Sequence, residues 1–213
     1  MALPSIKLTY FDFEVLAEPT RLAFTLGEIP FQDERIDGGA WAALKPSMPY
    51  QTLPILTVDG QVLGQSKAIA RYAAKLAGLY PLDNHVDACL VDEVGDFFQD
   101  ILHAIIPTLF ETDAAKKEIM ETQLLDETLP AMFAMLEARV ASMPSNDPWY
   151  LSKMTVADLY IYTIVTVFKV SQFQEVKIPT DICSKYSRVM EIYDAVANHP
   201  KVAAWNLAHK KSI

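Results

Sequence analysis

The spacing of apolar and polar residues predicts alternating strands and helices at the start of the chain. Residues 6–10 alternate apolar and polar side chains, which is the period of a strand. Residues 19–28 carry apolar side chains at helical spacing, and residues 31–36 predict a second strand. A helix that joins two such strands predicts a right-handed crossover between parallel partners.

A hairpin and a further helix complete this first pattern. Gly38-Gly39 predicts a break, and residues 40–45 predict a short helix. Two short apolar runs, 54–58 and 61–63, flank Asp59-Gly60, which is a strong signal for an antiparallel hairpin. A helix over residues 66–78 follows. The order β-α-β, short helix, β-β-α predicts a small mixed sheet flanked by helices, the α/β thioredoxin-like arrangement.

The second part of the chain predicts helices and almost no strands. The helical segments are residues 86–106, 114–142, 156–170 and 183–197. We expect the first of them to end before Pro107 and the second to kink at Pro130, because proline donates no hydrogen bond. The sequence therefore predicts a thioredoxin-like domain over residues 1–80 and an all-α domain over residues 86–213.

Composition and charge narrow the class of protein. Of the 213 residues, 51% are hydrophobic and 21% are charged, so the chain can bury a substantial core and the composition argues against disorder. The net charge of −9 argues against binding to nucleic acid or to an anionic membrane. We expect no signal peptide, because no basic stretch precedes an apolar one near Met1. The most apolar run, residues 159–168, is too short to span a bilayer. We expect a cytoplasmic protein.

Several kinds of reactive site have no signature in the sequence. Glycine-rich nucleotide loops and the H-E-x-x-H motif are absent, and the four histidines have no metal spacing. Cys89 and Cys183 form no C-x-x-C pair, so dithiol chemistry is not expected. We therefore expect no metal ion and no cofactor.

A few residues of the first part could still bind a ligand. Tyr10 closes the first strand at the edge where α/β sheets usually hold ligands, although a tyrosine is also an ordinary strand residue. Leu53-Pro54 opens the third strand and is a candidate cis bond, although most such bonds are trans. Ser66 could bind a carboxylate at a helix N-terminus or could serve only as an N-cap. Trp41 and Lys45 share a helix face.

The joint order of these features resembles the cytosolic glutathione transferases, most closely the sigma class, over nearly the whole chain. The matching segments are Leu8-Thr9-Tyr10-Phe11, Ala17-Glu18-x-x-Arg21, Trp41 with Lys45-Pro46-x-Met48-Pro49-Tyr50, Leu53-Pro54-Ile55-Leu56-x-Val58-Asp59-Gly60, Gln65-Ser66-x-Ala68-Ile69-Ala70-Arg71-Tyr72, Thr155-Val156-Ala157-Asp158 and Asn198-His199-Pro200-x-Val202-Ala203-Ala204-Trp205. The resemblance implies a glutathione-binding domain over residues 1–80 and an electrophile site contributed by residues 86–213.

The resemblance also implies roles for individual residues. Tyr10 would donate a hydrogen bond to the glutathione sulfur as the catalytic residue, and glutathione would be a co-substrate. The implied glutathione-binding residues are Tyr10, Trp41, Lys45, Thr52, Leu53, Pro54, Gln65, Ser66 and Asp96. Thr52 stands where relatives place Lys or Gln. Asp96 would reach across a homodimer, which is expected because the family is dimeric, and Tyr50 matches an aromatic residue that inserts into the partner subunit.

The implied electrophile site departs from the sigma pattern. Its expected residues are Phe11, Phe13, Val15, Leu16, Phe98, Tyr160 and Ile164, which would accept a hydrophobic electrophile. Sigma-type relatives carry a G-R-G-R loop where this chain has Phe13-Glu14-Val15-Leu16. Two positive charges are lost and one negative charge is gained, which weakens thiolate stabilisation and argues against prostaglandin isomerase activity.

Two functions follow from these residues. The first is an enzyme that conjugates glutathione to hydrophobic electrophiles in detoxification. The second is a glutathione-transferase-like binding or structural protein, similar to ligandins and lens crystallins, with weak catalysis. The altered loop favours the second function, whereas the intact set of Tyr10, Trp41, Lys45, Gln65 and Ser66 favours the first.

Overall fold

A computed structural model describes residues 4–143, 147–173 and 175–209. The described residues form two compact units. The α/β unit comprises those of Met1–Ala88 and Asn198–Ile213, and the helical unit comprises those of Cys89–Ala197. The C-terminal segment thus groups with the first part of the chain. The functional division into domains at residues 1–80 and 86–213 stays a prediction.

The described residues contain four strands and nine α-helices. Their bounds are β1 Ile6–Phe11, α1 Glu18–Leu26, β2 Gln32–Ile36, α2 Gly38–Leu44, β3 Ile55–Val58, β4 Gln61–Leu63, α3 Ser66–Leu76, α4 His85–Phe110, α5 Ala114–Gln123, α6 Leu129–Ala141, α7 Val156–Lys169, α8 Ser187–Ala197 and α9 Pro200–His209. The strands make one sheet in the order β2-β1-β3-β4. β1 pairs in parallel with β2 and antiparallel with β3, and β3 pairs antiparallel with β4. The predicted fold class, the parallel pairing of the first two strands and the hairpin are confirmed.

Apolar side chains of the sheet and of helices α1 and α3 form the core of the α/β unit. Leu8 and Leu56 on adjacent strands are completely buried, as are Leu22 and Phe24 on α1. Helix α1 packs against both α3 and α9. The sheet and its helices thus bury their apolar side chains together.

The prediction of a chain break at Gly38-Gly39 is wrong. Both glycines lie in the first turn of α2, two residues before the predicted start. Asp37 caps this turn, because its carboxylate accepts a hydrogen bond of 2.8 Å from the Ala40 amide. The cap therefore offsets the poor helix propensity of glycine.

Pro107 and Pro130 occupy positions in the helices that differ from the predicted ones. Pro107 does not end α4 but lies inside it, in the last turn, where a missing amide removes only one hydrogen bond. At Pro130 the segment predicted as one helix divides into α5, a π-helical turn over Leu124–Thr128, and α6. The wider turn precedes the proline, and the Thr128 hydroxyl donates to the Gln123 carbonyl at 3.3 Å.

Helix α7 is the buried centre of the helical unit. Twelve of its residues are buried, and it packs against α8. Its apolar run at 159–168 is part of this core. Among the described residues, no helix has the length and apolar character needed to cross a membrane.

A capping box formed by Thr155 and Asp158 begins α7, within the segment that matches the family pattern. Asp158 accepts hydrogen bonds from the amides of Tyr150 and Thr155, both at 2.7 Å, and from the Thr155 hydroxyl at 3.1 Å. Burial raises the pKa of Asp158 to about 6, and these hydrogen bonds act against that rise. The carboxylate thus connects the loop at Tyr150 to the start of the central helix.

Replacing this carboxylate tests its importance for stability. Asp158→Ala leaves two buried backbone amides without acceptors, so we expect the free energy of unfolding to fall by about 3 kcal/mol. Urea denaturation at pH 7 measures the change. The control is Asp126→Ala in the π-helical turn, where the side chain is exposed, with an expected change below about 0.5 kcal/mol. Equal unfolding midpoints for the two variants would contradict the role of the capping box.

Candidate active site at one edge of the sheet

Four chain segments meet at one edge of the sheet. β1 and β2 run in parallel, and Phe11 pairs with Ile36 where both strands end. β3 runs in the opposite direction, and Thr9 pairs with Ile55 where β3 begins. β4 runs back along β3 and ends at Leu63 opposite Leu56, so the chain that enters α3 leaves at this edge too. The topology therefore collects most of the predicted glutathione-binding residues.

Tyr10 lies at this edge, and only 4% of its surface is exposed. Burial raises the pKa of Tyr10 above its usual value, while a hydrogen bond from the Leu16 amide and the nearby charge of Arg21 act in the opposite direction. The phenol is therefore neutral at pH 7. Its oxygen accepts from the Leu16 amide and still carries a hydrogen that can be donated.

The neighbouring hydroxyl of Thr9 is engaged elsewhere. It donates to the Glu34 carboxylate on β2 at 2.6 Å. Successive residues of a strand point to opposite faces, so Thr9 and Tyr10 do not share a surface. Tyr10 is thus the hydroxyl that β1 presents at this edge of the sheet.

The segments around β2 and β3 place the next predicted residues. The Lys45 amide donates to the Trp41 carbonyl one helical turn earlier, so both residues lie on one face as predicted. Trp41 is half-buried and Lys45 is exposed. Thr52 has an extended backbone, and the predicted cis bond between Leu53 and Pro54 is confirmed.

The start of α3 places Gln65 and Ser66. Gln65 occupies the N-cap position with φ 74° and ψ 107°, and no side chain caps this helix. Ser66 is the first helical residue, so the alternative that it serves only as the N-cap is wrong. A left-handed backbone at a residue other than glycine costs about 1–3 kcal/mol and is typical of binding sites. The first-turn amides of α3 can bind an anion.

The loop between β1 and α1 contains a strained residue. Val15 is buried and has a φ of 99°, a value that is exceptional for a β-branched side chain. The next residue, Leu16, supplies the amide that meets Tyr10. The Arg21 guanidinium, completely buried on α1, donates to the carbonyls of Phe11 at 3.1 Å and of Phe13 at 2.8 Å.

Sequence reasoning gave Arg21 no role. It recognised the Ala17-Glu18-x-x-Arg21 motif only as a family resemblance. A signal was available, because Glu18 and Arg21 are three residues apart on a helix whose neighbours are apolar, which is the pattern of a buried ion pair. The Leu16 amide was missed for a different reason, since a backbone donor leaves no mark on the sequence.

The predicted electrophile residues form two separate groups. In the α/β unit, the Phe13 ring lies 5.3 Å from the Tyr10 ring and stacks on Phe11 at 5.4 Å, measured between ring centres. Val15 and Leu16 follow in the same loop. In the helical unit, Phe98 and Tyr160 are in contact at 5.3 Å, and the buried Ile164 lies one turn further along α7.

Two further predictions concern an exposed acid and metal binding. Asp96 is exposed on α4, and a role across a dimer stays a prediction. Within residues 4–143, 147–173 and 175–209, no three His, Cys, Asp or Glu side chains are grouped as metal ligands would be.

Known proteins resemble this chain along almost its whole length. The sequence model of the glutathione S-transferase C-terminal domain matches residues 99–209. Glutathione S-transferase 1 of Ascaris suum is 33% identical, over 95% of this chain and 96% of its own. The structure of prostaglandin synthase D of Nilaparvata lugens superposes with a TM-score of 0.84 at 32% identity, covering 98% of this chain and 100% of that one. Monomeric Na-GST-3 of the hookworm Necator americanus gives 0.82 at 26% identity, covering 98% of each chain. The chain therefore belongs to the glutathione S-transferase family.

Proposed function

We propose that this transferase joins the glutathione thiolate to hydrophobic electrophiles and that Tyr10 stabilises the thiolate. The observation that carries the proposal is the buried, neutral Tyr10 hydroxyl at the edge where the segments of Trp41, Leu53 and Ser66 converge. We further assign the protein to the sigma class and to the cytoplasm, and we propose that it uses no cofactor besides its co-substrate.

The hydroxyl of Tyr10 supplies the free energy that ionises the thiol. A free thiol has a pKa of about 8.5, so only a few per cent is thiolate at pH 7. Lowering that pKa by about two units costs roughly 2.7 kcal/mol, which one well-placed donor in a partly dry site can supply. The Leu16 amide on the phenol oxygen strengthens this donor, because it stabilises negative charge that shifts onto the oxygen.

The remaining segments of the edge bind the glutathione backbone. Trp41 and Lys45 hold the glycyl end, and Lys45 pairs with its carboxylate. Thr52, Leu53 and Pro54 precede β3, where the Leu53 backbone pairs with the cysteinyl unit as an added strand. The γ-glutamyl carboxylate lies on the Ser66 hydroxyl and the uncapped amides of α3, beside Gln65.

The electrophile approaches the sulfur over apolar surface. Phe11, Phe13, Val15 and Leu16 supply such a surface beside Tyr10 in the α/β unit. A part for Phe98, Tyr160 and Ile164 of the helical unit stays a prediction. We propose conjugation rather than prostaglandin isomerisation, although several relatives are named prostaglandin synthases. The reason is that the loop carries Glu14 and Leu16 where sigma-type enzymes carry arginines.

We also propose a homodimer in which Tyr50 enters a groove of the partner. The Tyr50 side chain is 71% exposed, although its ring borders Gly64. A groove of about 230 Å³ between α4 and α6 supports this proposal. The residues that line it are Glu93, Val94, Phe97, Met135, Leu136 and Arg139. In this assembly Asp96 binds the glutathione amine of the partner site.

A binding protein with weak catalysis is the second candidate. The observation in its favour is the loss of positive charge in the loop from Phe13 to Leu16. Turnover of chlorodinitrobenzene by the purified protein separates the two functions. Glutathione binding without turnover would support the binding protein and contradict the enzyme.

The first test replaces the proposed donor. Tyr10→Phe keeps the ring and removes the hydroxyl, so we expect turnover to fall by about ten- to a hundredfold, or roughly 1.4–2.7 kcal/mol. Glutathione affinity should change little, and the pKa of the bound thiol should rise, as measured by ultraviolet absorption. Tyr186→Phe, which loses a structural hydrogen bond to Pro130 in the helical unit, is the control. Unchanged turnover and thiol pKa in Tyr10→Phe would remove Tyr10 as the activating residue.

The second test concerns the start of α3. Ser66→Ala deletes a hydroxyl that we assign to a charged carboxylate, so glutathione should bind more weakly by roughly 1–3 kcal/mol. Isothermal calorimetry measures the affinity. Ser142→Ala, whose exposed hydroxyl donates to the Arg139 carbonyl at the end of α6, should leave it unchanged. Identical affinities for both variants would place the carboxylate site elsewhere.

The third test concerns assembly. Tyr50→Ala removes an aromatic anchor, for which a loss of about 2–4 kcal/mol is typical of interface hot spots, so the dimer should dissociate at about 30- to 1,000-fold higher concentration. Sedimentation velocity measures this shift. Leu207→Ala, at a residue that is 74% exposed, is the control and should not change it. A wild-type protein that is monomeric at all concentrations would overturn the dimer proposal.

A further inference from the structure

Arg21 makes an unusual set of contacts for a buried side chain. Its Nε atom donates to Asp33 Oδ1 on β2 at 3.0 Å, and Nη1 lies 3.3 Å from Glu18 Oε2 on its own helix. The same guanidinium donates to the Phe11 and Phe13 carbonyls. One side chain thus joins the end of β1, the loop after it, α1 and β2.

The two carboxylates hold the guanidinium in place. Glu18 also accepts a hydrogen bond of 2.9 Å from the Trp205 indole, and Asp33 accepts one of 2.8 Å from Arg35 Nε. Because both partners of Arg21 are themselves anchored, the planar guanidinium has one position and one orientation. Its two remaining contacts, the carbonyls of Phe11 at the end of β1 and of Phe13 in the following loop, are therefore fixed relative to the sheet.

The fixed carbonyls lie directly after Tyr10 in the chain. The loop that they belong to contains Val15 in a left-handed conformation, which persists only where surrounding contacts impose it. The next residue in the chain is Leu16, whose amide lowers the pKa of Tyr10 against the effect of burial. The guanidinium also lies over the Tyr10 ring, 5.7 Å from its centre.

We propose that Arg21 is a positioning residue for Tyr10, because its fork holds the Phe11 and Phe13 carbonyls, which follow Tyr10 in the chain, and its guanidinium lies over the Tyr10 ring. The proposal rests on the proposed function of Tyr10. It assigns the role to the geometry of the fork as well as to its charge. An ammonium group has the same charge but no planar fork, so lysine separates the two contributions.

The test measures the effect of Arg21→Lys on catalysis and on the bound thiol. We expect kcat with chlorodinitrobenzene to fall about tenfold and the pKa of bound glutathione to rise by about one unit, which is the same tenfold loss of thiolate. KM for glutathione should stay within about twofold, because the proposed peptide-binding residues lie on other segments. Unchanged kcat and thiol pKa would overturn the proposal.

Arg35→Lys is the matched control. Arg35 binds the same Asp33 carboxylate and also Asp12, at 2.7 Å, but within the described part of the chain it donates to no carbonyl of the β1–α1 loop. Loss of an ion pair alone should therefore appear in both variants as a lower melting temperature. Only Arg21→Lys should raise the thiol pKa, and an equal rise in Arg35→Lys would overturn the positioning role.

A double variant tests whether Arg21 acts through Tyr10. In a Tyr10→Phe background, Arg21→Lys should have no further effect on kcat or on the thiol pKa, because the group that it positions is gone. Additive effects would show that Arg21 acts independently of Tyr10. If Tyr10→Phe alone changes nothing, the proposed function fails; if Tyr10→Phe acts and Arg21→Lys does not, only the positioning role fails.

A second variant serves if Arg21→Lys does not fold. Glu18→Gln with Arg21→Met removes one charge of each sign together, which leaves no unpaired charge from this pair, and Asp33 keeps Arg35. This variant should show at least the tenfold loss of kcat and the same rise in thiol pKa. A folded variant with wild-type values of both would overturn the proposal.

Discussion

The burial of a single positive charge is the constraint around which the α/β unit is arranged. A guanidinium out of water is tolerable only when its donors meet acceptors, and Arg21 meets two carboxylates and two backbone carbonyls. These acceptors come from β1, β2, α1 and the connecting loop. The same contacts therefore neutralise the buried charge and fix the shape of the sheet edge.

Elements with a local physical cause could be predicted from the sequence. The hairpin follows from Asp59-Gly60 between apolar runs, and the capping box follows from Thr155 and Asp158 three residues apart. The errors arise where a local tendency is outweighed. The Asp37 carboxylate caps α2 and so keeps Gly38 and Gly39 helical. Packing of the 26-residue helix α4 outweighs the one hydrogen bond that Pro107 lacks.

The candidate site also contains some features that the sequence predicts and others that only the complete fold imposes. Strand order and direction bring Tyr10, Leu53 and Ser66 to one edge, and the alternating pattern of the sequence contains that information. The left-handed backbone of Val15 could not be predicted, because β-branched residues avoid it and only the completed fold imposes it. The side-chain sequence of the loop indicated lost positive charge, whereas the structure adds a backbone donor that only a substitution by proline would remove.

The donation by the Leu16 amide has a consequence for how this loop can evolve. A peptide N–H is present whatever side chain the residue carries, proline excepted. The hydrogen bond to the phenol oxygen therefore does not depend on which side chains face the substrate. During evolution the loop side chains can therefore change from charged to bulky apolar and so alter substrate preference. The backbone amide meanwhile continues to support the Tyr10 hydroxyl as a hydrogen-bond donor.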